Sequence, residues 1–167
     1  ALPPEARIPE TVADLVIAYR AKYAETRTRR TRPYPGIIEL LHGLTARNIS
    51  MAILSNKRDA VVKQEVSHFL PMTSFAEVRG ARPTVPLKPD PAAALLLARS
   101  LGRDPRFVLF VGDTKTDMQT AVAAGMVAVG VLWGFRTANE LRARGAQYMI
   151  SHPMEILSLL GIAARAT

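Results

Sequence analysis

Residues 107–117 read FVLFVGDTKTD, an apolar run that stops at Gly112 and delivers two carboxylates, Asp113 and Asp117, four residues apart. Consecutive apolar residues rich in Phe and Val suit a strand buried on both faces, so RFVLFVGD predicts a strand ending in an acidic loop. Toward the C-terminus, TDMQTAVAAG predicts a helix closed by Gly125, MVAVGVLWG a strand, TANELRARG a helix, AQYMI a strand and MEILSLLG a final helix. Toward the N-terminus, PAAALLLARSLG predicts a helix with proline at its opening and glycine at its close. Before it stand the loop PTVPLKPDP, a short strand FAEVRGA, a helix RDAVVKQEVSHFL, a strand ISMAILSN and a helix IIELLHGLTARN. PYPG punctuates the chain, and TVADLVIAYRAKYAET reads as an amphipathic helix ahead of it. Helices alternating with wholly apolar strands predict an α/β fold with a parallel sheet covered on both faces. Such sheets hold their ligands at the carboxyl ends of the strands.

Composition narrows the function classes. The 167 residues, 49% hydrophobic, suffice for one domain with a real core plus a small appendage. With no cysteine, disulfide scaffolds and thiolate metal sites are excluded. No apolar run reaches the roughly 18 residues that a membrane-spanning helix needs, and ALPPEARIPE lacks a basic-then-apolar leader, so no membrane partner and a cytoplasmic location are expected. Lys and Arg exceed Asp and Glu by 22 to 14, for a net charge of +8. Arg27, Arg29, Arg30 and Arg32 concentrate part of that excess, but only Tyr34 lies nearby, whereas nucleic-acid surfaces interleave aromatics with basic residues. The cluster reads as a solvated helix end whose cations complement the helix dipole, with no nucleic-acid partner.

Three strand or loop ends carry the chemistry: Ser55, Asn56 and Lys57 after MAIL, Lys88 between prolines in PLKPDP, and Asp113 with Asp117 after FVLFVG. Each has an ordinary reading alone. Ser55 and Asn56 can cap a helix, Lys88 can be a solvated loop residue, Asp113 a turn residue, and Asp117 an acid in a first helical turn. Together they make a site for phosphate with a divalent metal. The hydroxyl and amide donate to phosphoryl oxygens, the ammonium supplies a point charge, and two carboxylates one helical turn apart can hold a hard cation such as Mg²⁺. His42, within a helix, and His152, before a proline, have no second imidazole at ligand spacing and read as structural. Trp133 can equally line a substrate mouth or pack a loop.

In order, spacing and placement these segments resemble the haloacid dehalogenase-like phosphohydrolases, and within them the phosphoglycolate phosphatase-like branch. RPYPGIIELLHGLTARNISMAILSNK resembles the passage from the helical cap into the family's second motif, with its hydroxyl at Ser55 followed by Asn56 and Lys57. LKPDP resembles the third motif, with its lysine at Lys88, and VGDTKTDMQTAVAAGM the fourth, with metal-binding acids at Asp113 and Asp117. GVLWGFRTANELRARGAQYMISHPMEIL resembles the end of this branch.

The resemblance implies a Rossmann-like three-layer α/β/α core over residues 33–167 and the later part of a helical cap over residues 1–32. It also implies a Mg²⁺-dependent phosphatase acting on a small phosphate monoester through an aspartyl-phosphate intermediate. Lys88 and Ser55 would be catalytic, Ser55, Asn56 and Lys88 substrate-binding, and Asp113 and Asp117 metal-binding. The family's first motif, of Asp-x-Asp-x-Thr type, supplies the nucleophile and a general acid, and no such motif occurs in this sequence. The expectation is an upstream segment that carries it, ahead of a complementing chain or of a noncatalytic phosphate-binding protein. A receiver-like signalling domain fits less well, because its acidic pair closes the first strand. In the family the absent strand lies between those formed here by ISMAILSN and RFVLFVGD, so those two strands should either close up or leave a slot for another segment.

Overall fold

In a computed structural model, Pro3, residues 8–26 and residues 31–163 are described. The basic cluster at Arg27, Arg29 and Arg30 lies outside the described residues, while Arg32 is exposed. The chain divides into two compact units, Ala1–Arg32 and Pro33–Thr167. The first holds helix α1, Pro9–Thr26. No described helix is long and apolar enough to cross a membrane.

The second unit alternates as the apolar periods require: α2 (Ile37–Thr45), β1 (Ala52–Arg58), α3 (Asp59–Phe69), β2 (Glu77–Ala81), α4 (Ala92–Ser100), β3 (Leu109–Gly112), α5 (Lys115–Ala123), β4 (Val127–Val131), α6 (Ala138–Arg142), β5 (Tyr148–Ile150) and α7 (Glu155–Ala163). All strand pairs are parallel. Helices α5 and α6 each begin on a capping box, Thr114 with Asp117 and Thr137 with Glu140, in which hydroxyl and carboxylate reciprocally satisfy the exposed N–H groups of the first turn.

The strands form two sheets rather than one: β1 pairs only with β2, and β3–β4–β5 form the other. β1 and β3 have not closed up, and the two sheets meet no ladder between them among the described residues. Shared helical layers nonetheless bind them together. On one face Ala94 and Ala98 of α4, Met118 and Ala121 of α5, and Leu141 of α6 pack on Ala128 of β4, and Leu54 of β1 joins them beside Phe110 of β3. On the other, Leu40 and Leu44 of α2 and Ile156 of α7 pack on Val129 and Val131, with Met51 and Leu109 alongside. Strand β4, covered on both sides, is the centre of the core.

Two boundaries differ from the sequence expectation. The strand expected to begin at Arg106 begins at Leu109, because Pro105–Phe107 form a 3-10 turn capped by Asp104, whose carboxylate accepts from the Arg106 N–H. The strand expected over residues 49–56 runs instead from Ala52 to Arg58, with Ser55 and Asn56 inside it as expected. Pairing runs regularly from Ala52 to Leu54 and resumes only at Arg58, with a shift of register between, so Ser55–Lys57 form an irregular stretch of the kind that re-aims side chains.

Candidate active site

Lys88 reaches across from its loop to two different elements. Its Nζ donates to the carbonyl of Leu54 in β1 at 3.1 Å and to Oδ1 of Asp117 in α5 at 2.7 Å, with the Phe110 ring 5.9 Å away. Side-chain exposure is 13% for Lys88 and 8% for Asp117, so this is a nearly buried ion pair and not a solvated loop lysine. The other Asp117 oxygen, Oδ2, accepts from the Thr114 N–H at 3.0 Å and from the Thr114 hydroxyl at 2.5 Å. Gly112 makes that arrangement possible: a Cβ there would stand 2.3 Å from the Cβ of Asp117, closer than atoms tolerate.

Asn56 holds the lysine's main chain. Its Oδ1 accepts from the Lys88 N–H at 2.9 Å and its Nδ2 donates to the Lys88 carbonyl at 3.0 Å, so both ends of the amide are spent on positioning. The Ser55 Oγ accepts from the Lys57 N–H at 3.2 Å, which leaves its own proton for another acceptor.

Asp113 faces a different neighbour. Its Oδ2 accepts from the Phe135 N–H at 3.0 Å, in the turn that follows β4. That turn runs into the α6 capping box, where Glu140 Oε2 accepts from the Thr137 N–H at 3.1 Å and Oε1 meets Lys115 Nζ at 3.1 Å. The Thr137 N–H first, then Lys115, draw the Glu140 pKa down from 4.5 to about 2. A carboxylate lowered on folding stabilises the fold above its unfolded pKa, and that contribution is lost as pH falls through the folded value. Glu140→Gln is therefore expected to be less stable than the parent protein at pH 7, with the gap closing between about pH 4.5 and 2. Urea titrations at stepped pH, followed by the fluorescence of the single Trp133, measure this; a gap independent of pH would contradict the assignment.

Between β1 and β3 lies an apolar cavity of about 670 Å³, lined by Ala52 and Leu54 on one side, Leu109 and Val111 on the other, with Lys88 and Trp133 also on its wall. Val111, within a strand, is 40% exposed. Trp133 packs on the core face of Val129 and Val131 and also lines this slot. His152 donates its N–H to Glu155 at 2.7 Å and accepts the Met154 N–H on its ring, a capping role at the start of α7.

The structure accordingly joins Lys88 to Asp117 and Asn56 to Lys88, and gives Ser55, within β1, and Asp113, just after β3, separate partners. Among the described residues no group of three His, Cys, Asp or Glu side chains gathers as a metal cage. Asp113 is half-buried with Oδ1 accepting no hydrogen bond from the described residues, which fits a hard divalent cation that takes few carboxylates and completes its shell with water and phosphate. Asp117, with both oxygens engaged, fits contact through water or through Thr114. Sequence reasoning missed Thr114, the Leu54 carbonyl and the Gly134–Phe135 turn. Thr114 was legible in the T-x-x-D pattern of a capping box; main-chain donors and acceptors leave no mark in side-chain identity.

The family model described as haloacid dehalogenase-like hydrolase matches residues 4–131. Phosphoglycolate phosphatase of Haemophilus influenzae is 30% identical over 138 residues, covering 83% of this chain and 62% of that protein. Phosphoglycolate phosphatase of Pseudomonas putida is 30% identical over 146 residues, covering 87% and 53%. A crystal structure from Lactobacillus delbrueckii subsp. bulgaricus superposes with a TM-score of 0.85 at 27% identity, covering 95% of this chain and 66% of that one. The chain thus spans little more than half the length of these curated relatives.

Proposed function

The chain belongs to the haloacid dehalogenase-like hydrolases, and from that premise we propose that it is the charge-stabilising part of a Mg²⁺-dependent phosphatase for a small anionic monoester, of the phosphoglycolate class. The observation that carries this reading is the buried Lys88 ammonium, held between the Leu54 carbonyl and Asp117 at the wall of the slot, with Asp113 at the adjoining strand end. Two of the three Lys88 N–H bonds are directed at protein oxygens, which leaves one for a phosphoryl oxygen. The Ser55 hydroxyl donates a second hydrogen bond to the same group, while Asn56 keeps the lysine in place. Asp113 would hold Mg²⁺, which would supply positive charge to offset that of the phosphoryl group.

The attacking carboxylate belongs to a strand seated in the slot and carried by a segment outside these residues. Its oxygen forms a bond to phosphorus as the bond to the alcohol oxygen breaks and that oxygen takes a proton; water then cleaves the acyl phosphate, releasing phosphate and restoring the carboxylate. Fixed positive charge around the transferring group is the main catalytic term in such chemistry, and Lys88 supplies it without reorganisation. We assign Ala1–Arg32 to the later part of a helical cap.

The test is phosphate release by the whole gene product from a panel of small monoesters, 2-phosphoglycolate among them, with and without Mg²⁺. Metal-dependent release that favours carboxylated esters is expected. Binding of phosphate without release from any ester would overturn the reading in favour of a noncatalytic phosphate-binding protein.

A further inference from the structure

The turn after β4 touches Asp113 more intimately than packing requires. A Cβ on Gly134 would stand 2.2 Å from the Asp113 Cβ and 2.3 Å from its Oδ2, so the bare backbone of residue 134 lies flat against the carboxylate. The next N–H, that of Phe135, donates to the same oxygen at 3.0 Å, although the Phe135 side chain itself is 81% exposed. The turn is pinned at both ends. Trp133 packs on the core behind it, and Thr137 with Glu140 caps α6 ahead of it. Glu140 then reaches back to Lys115, two residues beyond Asp113. Asp113 is therefore enclosed in a ring of contacts that runs from β3 through the turn and α6 to α5.

We propose that Gly134 and Phe135 are positioning residues that fix the rotamer of Asp113 and occupy Oδ2, so that Oδ1 alone is presented to a divalent cation. The inference rests on Asp113 being a cation ligand. Without the N–H, the carboxylate is free to rotate, and part of the binding free energy is spent on holding it still. With a methyl group at residue 134, Asp113 is pushed off its place. The exposed Phe135 ring is irrelevant to this function; only its main-chain N–H matters.

Mn²⁺ alone, titrated into the whole protein and followed by the EPR signal of the free ion, tests this with thermal melts run on each variant. Asp113→Asn is expected to abolish the site. Phe135→Pro, which deletes the N–H, is expected to weaken Mn²⁺ about 10-fold, the scale of one hydrogen bond to a charged group. Phe135→Ala, which keeps the N–H, should stay within about 2-fold on the same reasoning. Gly134→Ala should weaken binding as Phe135→Pro does, and it decides the matter should the proline variant fail to fold. If Asp113→Asn binds as the parent protein does, the ligand assignment falls and this inference with it. If Asp113→Asn loses the ion while Phe135→Pro and Gly134→Ala retain full affinity, the ligand assignment stands and the positioning role is overturned. Equal losses in Phe135→Pro and Phe135→Ala would also overturn it, by pointing to the ring.

Discussion

Lys88→Ala is expected to lose on the order of 10²-fold in turnover and, in the same variant, about 3 kcal/mol of stability. The two losses have separate causes. Turnover should fall because the ammonium proposed to offset phosphoryl charge is gone. Stability falls because the Asp117 side chain, 8% exposed, loses its cation; removing one partner of a buried pair is far costlier than removing both. For a unit of this size a loss of that order lowers the melting temperature by roughly 10 °C. Adding Asp117→Asn to Lys88→Ala separates the effects. The double variant should regain much of the melting temperature, since no orphaned charge remains, while turnover stays low. Steady-state phosphatase kinetics beside differential scanning calorimetry reads both. A singly substituted protein with near-normal turnover would sink the assignment of Lys88, and failure of the second substitution to restore stability would sink the account of the pair.

The 167 residues by themselves are expected to hydrolyse no phosphate ester and to aggregate at concentrations where a longer product stays soluble. β1 is paired on one side only and so is β3, and the apolar slot between them measures about 670 Å³. Unpaired inner edges present backbone groups that recruit other strands. Seating one strand there buries three or four apolar side chains, worth roughly 1.5–3 kcal/mol each before the cost of ordering them. The gross gain is thus comparable with the whole stability of an ordinary domain. Under the proposed mechanism the same strand would bring the attacking carboxylate, and loss of a nucleophile costs on the order of 10⁴-fold or more in rate. Expression of residues 1–167 with and without any coding sequence that precedes Ala1, followed by solubility measurement and Mg²⁺-dependent hydrolysis of a generic ester, decides the matter. Robust turnover by the short form would overturn it.

Much of this arrangement was legible in the residue pattern because burial leaves a mark on composition. The run that ends at Val111 marked a strand, although β3 is only partly buried and Val111 is 40% exposed beside the slot, and the alternation of apolar runs with helical periods marked a parallel α/β unit. The same pattern overshot at Arg106–Val108, where Pro105 and the Asp104 cap impose a 3-10 turn on residues apolar enough to read as strand. In the site, residue types pointed to Lys88, Asp113 and Asp117 but not to how they divide. Carboxylates four residues apart invite a shared ion, whereas Asp117 is drawn to Lys88 and Thr114 and Asp113 to Phe135. Asn56 invited a substrate contact and instead spends its amide on a main chain. The register break at Ser55–Lys57, which turns those side chains, depends on pairing with β2, and no local signal in β1 foretells it.

The Lys88 ammonium closes spans of 34 residues to Leu54 and 29 to Asp117, and Asn56 grips the same loop across 32. Closures of that length cost chain entropy before any contact returns it, so they form late on a folding path. The cluster of charges is consequently a product of the finished fold and of nothing earlier: a nascent or half-open chain carries the same residues but no concentrated field. A ligand of the proposed anionic kind would then meet an assembled electrostatic target only on molecules that have completed their long-range closures, which would couple its capture to kinetic maturity.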